Sequence, residues 1–189
     1  MTGLWIVAIA LCVVLYLWYA AIVTRRNRVG EALGGIDAQL TQRHDLIPNM
    51  LAIAKRFMAH EHDLIAEITA LRAQGAAAVG GSDPAGLSAR FATEERLGAD
   101  LRRLMAVAEN YPALQSQAPM LEAQHALMET ETNIAAARRS YNAAVTDLRN
   151  AAQIFPGPLL AALAGAGTMP PFYESTAEAR APVDAGALL

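Results

Sequence analysis

From Gly3 to Val23 the chain reads GLWIVAIALCVVLYLWYAAIV without a charged side chain, and beyond it apolar and polar positions alternate at helical spacing to about residue 155. At about 1.5 Å per residue the first run makes a helix about 30 Å long, the hydrocarbon thickness of a bilayer. A transmembrane helix bounded by Gly3 and Val23 is therefore predicted. Trp5 near one end and Trp18 and Tyr19 near the other stand where amphipathic rings prefer the membrane interface. A cleaved signal or a buried core helix would also be apolar. A secretory signal, however, carries positive charge ahead of a shorter apolar region, and Met1 to Gly3 have no charged side chain.

Past the span the pattern is helical throughout. Val, Ile and Thr are scattered, and Ala, Leu, Glu, Gln and Arg dominate. Leu33, Ile36, Leu40 and Ile47, followed by Leu51, Ala54, Met58, Ile65 and Ile68, form one apolar stripe, which predicts a helix from about Thr24 to about Gln74. No breaker separates Val23 from Arg28, so span and helix read as one rod, with a kink expected at Pro48. The stretch GAAAVGGSDPAG, Gly75 to Gly86, is a loop. A second helix with Phe91, Leu97, Leu101, Leu104 and Met105 on its apolar face runs to about Glu109, before Asn110, Tyr111 and Pro112. The third, from Gln115 or Ala118 to Ile154, carries Met120, Leu127, Ile134, Tyr141, Leu148 and Phe155 at heptad spacing.

The predicted fold class is all-α: an N-terminal transmembrane helix, then an antiparallel bundle of three long helices plus a short C-terminal helix, four-helix-bundle-like. Residues 1–23 form the anchor, 24–168 the bundle and 169–189 a mostly disordered tail, pinned at its start by Phe172 and Tyr173. Between bundle and tail, FPGPLLAALAGAG from Phe155 to Gly167 is broken by Pro156, Gly157 and Pro158 and too short to span a bilayer. Leu159, Leu160 and Leu163 suit it to cap the bundle, touch the membrane surface or bind a neighbouring copy, capping being the simplest.

Composition narrows the function classes. With 189 residues, 54% of them hydrophobic, the chain fills one core and one membrane segment. A net charge of -3 leaves no basic surplus for a nucleic-acid backbone, and no nucleic-acid partner is expected. The one cysteine, Cys12, lies in the span, so no intramolecular disulfide or Cys-based zinc site can form. Arg25, Arg26 and Arg28 follow the span, while nothing before it is a Lys or Arg. By the positive-inside rule the protein is a single-pass inner-membrane protein with its N-terminus outside and its C-terminal domain cytoplasmic.

Candidate chemistry is sparse. Gln124, Glu131 and Arg138 recur at heptad spacing beside the apolar series of the third helix, a polar seam that needs partners such as Asp37, Arg43, Asp45, Asn49 and Glu61. The seam is assigned to Asp45, Asn49, Gln124, Glu131 and Arg138, in a structural register role ahead of a ligand site. His60, Glu61, His62 and Asp63 resemble a metal cluster, but on a helix His60 and His62 point apart; only His60, Asp63 and Glu67 share a face. No strand-to-helix serine turn or phosphate-cradling glycine loop is present in the pattern. The reading is a non-enzymatic, membrane-anchored scaffold or interaction protein without cofactor or metal, whose partners are the lipid bilayer, further copies of itself and unidentified membrane or cytoplasmic proteins; the alternative is a ligand-binding module or enzyme that uses the polar seam.

The strings IDAQLTQRHDLIPNM from Ile36 to Met50, His60-Glu61, VAENYPALQ from Val107 to Gln115, TETNIAAARRSYNAAV from Thr130 to Val145 and FPGPLLA together resemble the LemA family in order and spacing. The resemblance reaches from the membrane segment to Glu174. Positions matching the family pattern include Asp37, Arg43, Asp45, Pro48, Asn49, Tyr111, Pro112, Glu131, Arg138, Tyr141 and Asn142. The chain departs from it at His44, where an aromatic is usual, at Leu148-Arg149-Asn150 and at AGAGTMPP. The resemblance implies a single-pass membrane protein with a cytoplasmic helical bundle. Some members of the family are associated with magnetosome formation, which implies membrane organisation rather than catalysis.

Overall fold

The computed structural model describes residues 1–58, 60–78 and 83–174; the end of the expected tail, 175–189, lies outside them. Helix α1 spans Thr2–Phe57, α2 His62–Ala77, α3 Pro84–Ala108, α4 Pro112–Gln115, α5 Ala118–Gln153 and α6 Gly157–Leu160. Among the described residues there is no strand. The apolar span and the first bundle helix are one rod, as the absence of a breaker between Val23 and Arg28 predicts.

That rod ends at Phe57, not near Gln74. Met58 leaves helical geometry at φ -109 and ψ 65, and after a short turn α2 starts at His62 and folds back along α1. No Gly or Pro marks the turn; burial drives it. The reversal brings Leu64, Ile65, Ile68 and Leu71 into one cluster with Ile47, Met50, Leu51, Ala54 and Met58, and with Leu97, Leu101 and Leu104 of α3. A straight continuation would leave the second half of this stripe in water, and burying side chains of this size is worth about 1.5–3 kcal/mol each.

Pro48 stays inside α1, which continues helically to Phe57. Its ring has no N–H to donate to the carbonyl four residues earlier, that of His44. Arg72 of α2 supplies the missing donor: its Nε lies 2.7 Å from His44 O. Helix α3 opens with Asp83 accepting from Gly86 N at 3.2 Å and Pro84 in the first turn, and α2 runs to Ala77, so both helices reach into the stretch from Gly75 to Gly86 expected to be loop.

Helix α5 runs antiparallel to α1. Trp18 Nε1 donates to Ala151 O at 3.0 Å near one end, and Arg43 meets Glu131 further along. Met120, Leu127, Ile134, Tyr141 and Leu148 of the heptad series are buried, but Phe155, beyond the end of α5, is 78% exposed. A second cluster gathers Ile22, Val29, Ile36, Leu40, Leu87, Phe91, Ile134, Tyr141, Val145 and Leu148 with Tyr173. Between the two clusters lies a layer of charge.

Candidate functional site

The layer is visible in the numbering. In α1 the apolar series Ile36, Met50 is interrupted at heptad spacing by Arg43; in α3 Leu87 and Leu101 flank Glu94; in α5 Leu127 and Ile134 flank Glu131. Antiparallel packing superimposes these interruptions at one level. Arg43 Nη2 lies 2.5 Å from Glu94 Oε2 and donates to the Glu94 backbone carbonyl at 2.9 Å, while Nη1 donates to Glu131 Oε1 at 2.9 Å. One guanidinium thus ties α1 to both α3 and α5, using the planar fork that suits Arg to carboxylates. His44 Nε2 is 3.2 Å from Glu94 Oε2; an ionised carboxylate only accepts, so this nitrogen carries the proton between them.

Arg43 is 2% exposed and Glu94 0%, so both charges have left water. For Glu94 burial opposes ionisation, but hydrogen bonds from His44 and Arg43 and their charge outweigh it, holding the carboxyl below the ordinary carboxylate range. Burial likewise opposes the Arg43 charge, and Glu131 and Glu94 override it, raising its pKa. Two glycines make room. A side chain at Gly75 would run into Glu94 Oε1, and one at Gly98 would stand 3.1 Å from Arg43 Nη1.

A second tier beside the layer again joins α1, α3 and α5. Buried Arg90 donates to Asp37 Oδ1 at 2.6 Å, and Arg138 donates to Glu95 Oε2 at 2.9 Å. The Arg138 guanidinium also sits 4.3 Å over the Tyr173 ring, which stacks on Phe91 at 4.2 Å. Asn142 holds the backbone of Tyr173 twice, at 3.0 and 2.9 Å, and Tyr141 donates its hydroxyl to Pro171 O at 2.9 Å. Residues 170–173 therefore form a strap over α5. Burial pushes the phenols of Tyr141 and Tyr173 up to about 12.

Of the seam residues named from sequence, Glu131 joins the layer, Arg138 joins the strap and Gln124 is half-buried; of the named partners, Arg43 and Asp37 take part. Asp45 and Asn49 occupy exposed positions of α1, and the structure does not bring them to the network. Sequence reasoning passed over Glu94, Arg90 and Glu95. The signal was present: Glu94 interrupts Leu87 and Leu101, and Arg90 precedes Leu97 and Leu104, at the spacing that drew attention to α5. His60 and Glu61 lie in the turn before α2 rather than on an unbroken helix, and no group of three metal-ligating side chains converges among the described residues.

Beside the layer, α3 and α5 leave a groove of about 620 Å³, with Leu101, Met105, Leu127 and Met128 as its apolar lining and Arg102, Glu109, Gln124, His125 and Glu131 as its polar one. Residues 32–185, which take in the charged layer, the groove and the strap, match the model of the LemA family. The chain belongs to the LemA family. Among its curated relatives are the magnetosome proteins MamQ 1 and MamQ 2 of Paramagnetospirillum magneticum, each 25% identical over 177 residues that cover 83% of this chain. The chain spans 65% of the length of these relatives. As a LemA-family member it is a membrane-associated helical protein, with one helix among the described residues long and apolar enough to cross a bilayer.

Proposed function

We propose that this LemA-family protein is a membrane-anchored, non-catalytic scaffold that self-associates or recruits partners through the outer faces of its bundle. In this reading α1 crosses the inner membrane once. Arg25, Arg26 and Arg28 hold the bundle on the cytoplasmic side. The supporting observation is the charged layer: Arg43, Glu94, His44 and Glu131 are matched to one another across three helices, with apolar clusters on both sides. Polar groups placed so specify helix register, the best-attested use of a polar layer in a helical core. The polar seam of Gln124, Glu131 and Arg138 is assigned the same structural role. The magnetosome names of the relatives favour a part in membrane or envelope organisation.

Crosslinking in native membranes tests this. With Cys12 replaced, single cysteines go at exposed positions of α5 such as Met128, Thr132 and Arg139. Intermolecular bands restricted to one face are expected. Their absence at every position, in protein shown to be folded and inserted, would remove self-association.

The groove favours a second reading, a ligand-binding module in which Gln124 and Glu131 contact a polar ligand. Replacing Gln124, Glu131 and Arg138 together by Leu or Met separates the two. A folded triple variant that keeps the wild-type crosslinking pattern assigns these residues to structure.

A further inference from the structure

The apolar span is longer than the part of it that stands clear of the bundle. From Gly3 to Leu17 every residue but the half-buried Leu15 is exposed, whereas Trp18 to Ala21 are half-buried and Ile22 is fully buried. Gly3 to Leu17 measures about 22 Å, roughly 8 Å less than a bilayer core of about 30 Å. To cover the span up to Val23, the bilayer must reach past Leu17 to the level at which other elements already pack on α1.

Those elements are the end of α5, α6 and the turns around them. Trp18 bonds to Ala151 O, and Leu160, Ala161 and Ala164 share a cluster with Trp18, Tyr19, Ile22 and Val23. Around the same turn Ile154, Phe155, Leu159 and Leu163 are 57%, 78%, 65% and 75% exposed. From Asn150 to Tyr173 the chain has no Asp, Glu, Lys, Arg or His. Charge resumes on the bundle side: Arg25 and Arg28 on α1, Arg26 with its guanidinium against Gly165, and Arg149 on α5. An apolar rim backed by arginines has the layering of acyl chain and headgroup.

We propose that the turn from Ile154 to Leu163 is a second membrane contact, its four exposed side chains inserted beside α1 into the headgroup and acyl boundary of the lipid bilayer. The depth to be filled, roughly 8 Å, falls within the about 5–10 Å reached by interfacial apolar faces. The bundle is then seated on the bilayer rather than hung from a free stalk. This rests on the anchoring reading of α1, and the test separates the two.

Full-length protein with Cys12→Ala is reconstituted into vesicles of phosphatidylcholine and phosphatidylglycerol. An environment-sensitive fluorophore is attached to Val13→Cys in the span, Phe155→Cys or Leu159→Cys in the turn, or Met128→Cys on α5. All four native side chains are exposed, so labelling leaves the core intact. Expected is a blue shift and loss of emission to a shallow lipid-borne quencher at residues 155 and 159, with Met128→Cys quenched by aqueous iodide. Lipid quenching at residue 13 but iodide quenching at 155 and 159 overturns the proposal alone. No lipid quenching at residue 13 overturns the anchor and the proposal with it. Shielding of 155 and 159 from both quenchers also overturns it, and crosslinks between copies there would assign the face to a second molecule.

Discussion

Arg43 and Glu94 meet at 2.5 Å across α1 and α3, the guanidinium 2% and the carboxylate 0% exposed, and Arg43 reaches past Glu94 to Glu131 on α5. Removing one partner strands a buried charge. Glu94→Gln should destabilise the bundle by about 3 kcal/mol, the low end for breaking a buried pair because Glu131 still holds Nη1. Replacing Arg43 and Glu94 together by Met should recover much of the loss, and also loosen register. Denaturant unfolding in detergent, followed by circular dichroism, measures both; a double variant that loses as much as the two single variants summed would show that the pair is not coupled.

The same carboxylate predicts the direction of an acid effect. Its folded pKa lies below the ordinary value of 4.5, so its contribution is present above that value and is lost as pH falls through the folded one. Stability measured from about pH 6 down to about pH 3 should therefore fall more steeply in the wild type than in Glu94→Gln. Parallel curves would contradict the assignment.

Arg72 and Pro48 form a testable pair through His44. In the wild type Arg72→Ala leaves the His44 carbonyl without its donor, at a cost of about 1–2 kcal/mol. In a Pro48→Ala background the helix supplies its own N–H, and the same change should cost less. A double-mutant cycle reads the difference, and an unchanged cost would separate the contact from the proline.

Two classes of helical glycine should respond with opposite sign. Gly34 and Gly35 have open space where a Cβ would go, so Gly34→Ala should stabilise by about 0.5–1 kcal/mol through helix propensity. Gly75→Ala drives a methyl into Glu94 Oε1 and against His44, and should destabilise despite the same propensity gain. Thermal midpoints of the two variants on either side of the wild type are the expected result.

The strap depends on Tyr173. Tyr173→Ala removes the stack on Phe91 and the face under Arg138, and should cost about 3 kcal/mol, as for other large aromatics. Hydrogen exchange should show the backbone amide of Tyr173, held by Asn142, losing protection together with α5 around it. Protection unchanged there would mean that Asn142 holds the strap without the ring.

What could be read from the sequence alone is what periodicity encodes locally. The charge-free run, the rod continuous from it and the buried positions from Met120 to Leu148 each follow from side-chain spacing within one segment. The motif strings carried the family resemblance. What crosses between segments was decided only by the fold. No residue near Met58 announces a reversal, since it is caused by apolar surface on α2 finding α3. Arg43 and Glu94 each interrupt an apolar heptad series while Glu131 lies in the polar seam beside a third, and only antiparallel packing sets the three at one level. Asp45 and Asn49 stand two and six residues from Arg43 in sequence yet face water, because on a helix direction turns by about 100° per residue. Phe155 continues the heptad count but lies past the end of α5, where the helix no longer carries it to the core. Local spacing determined which faces must be buried; the tertiary structure decided what covers each, because the energy of burial belongs to pairs of surfaces and the chain must bend to bring them together.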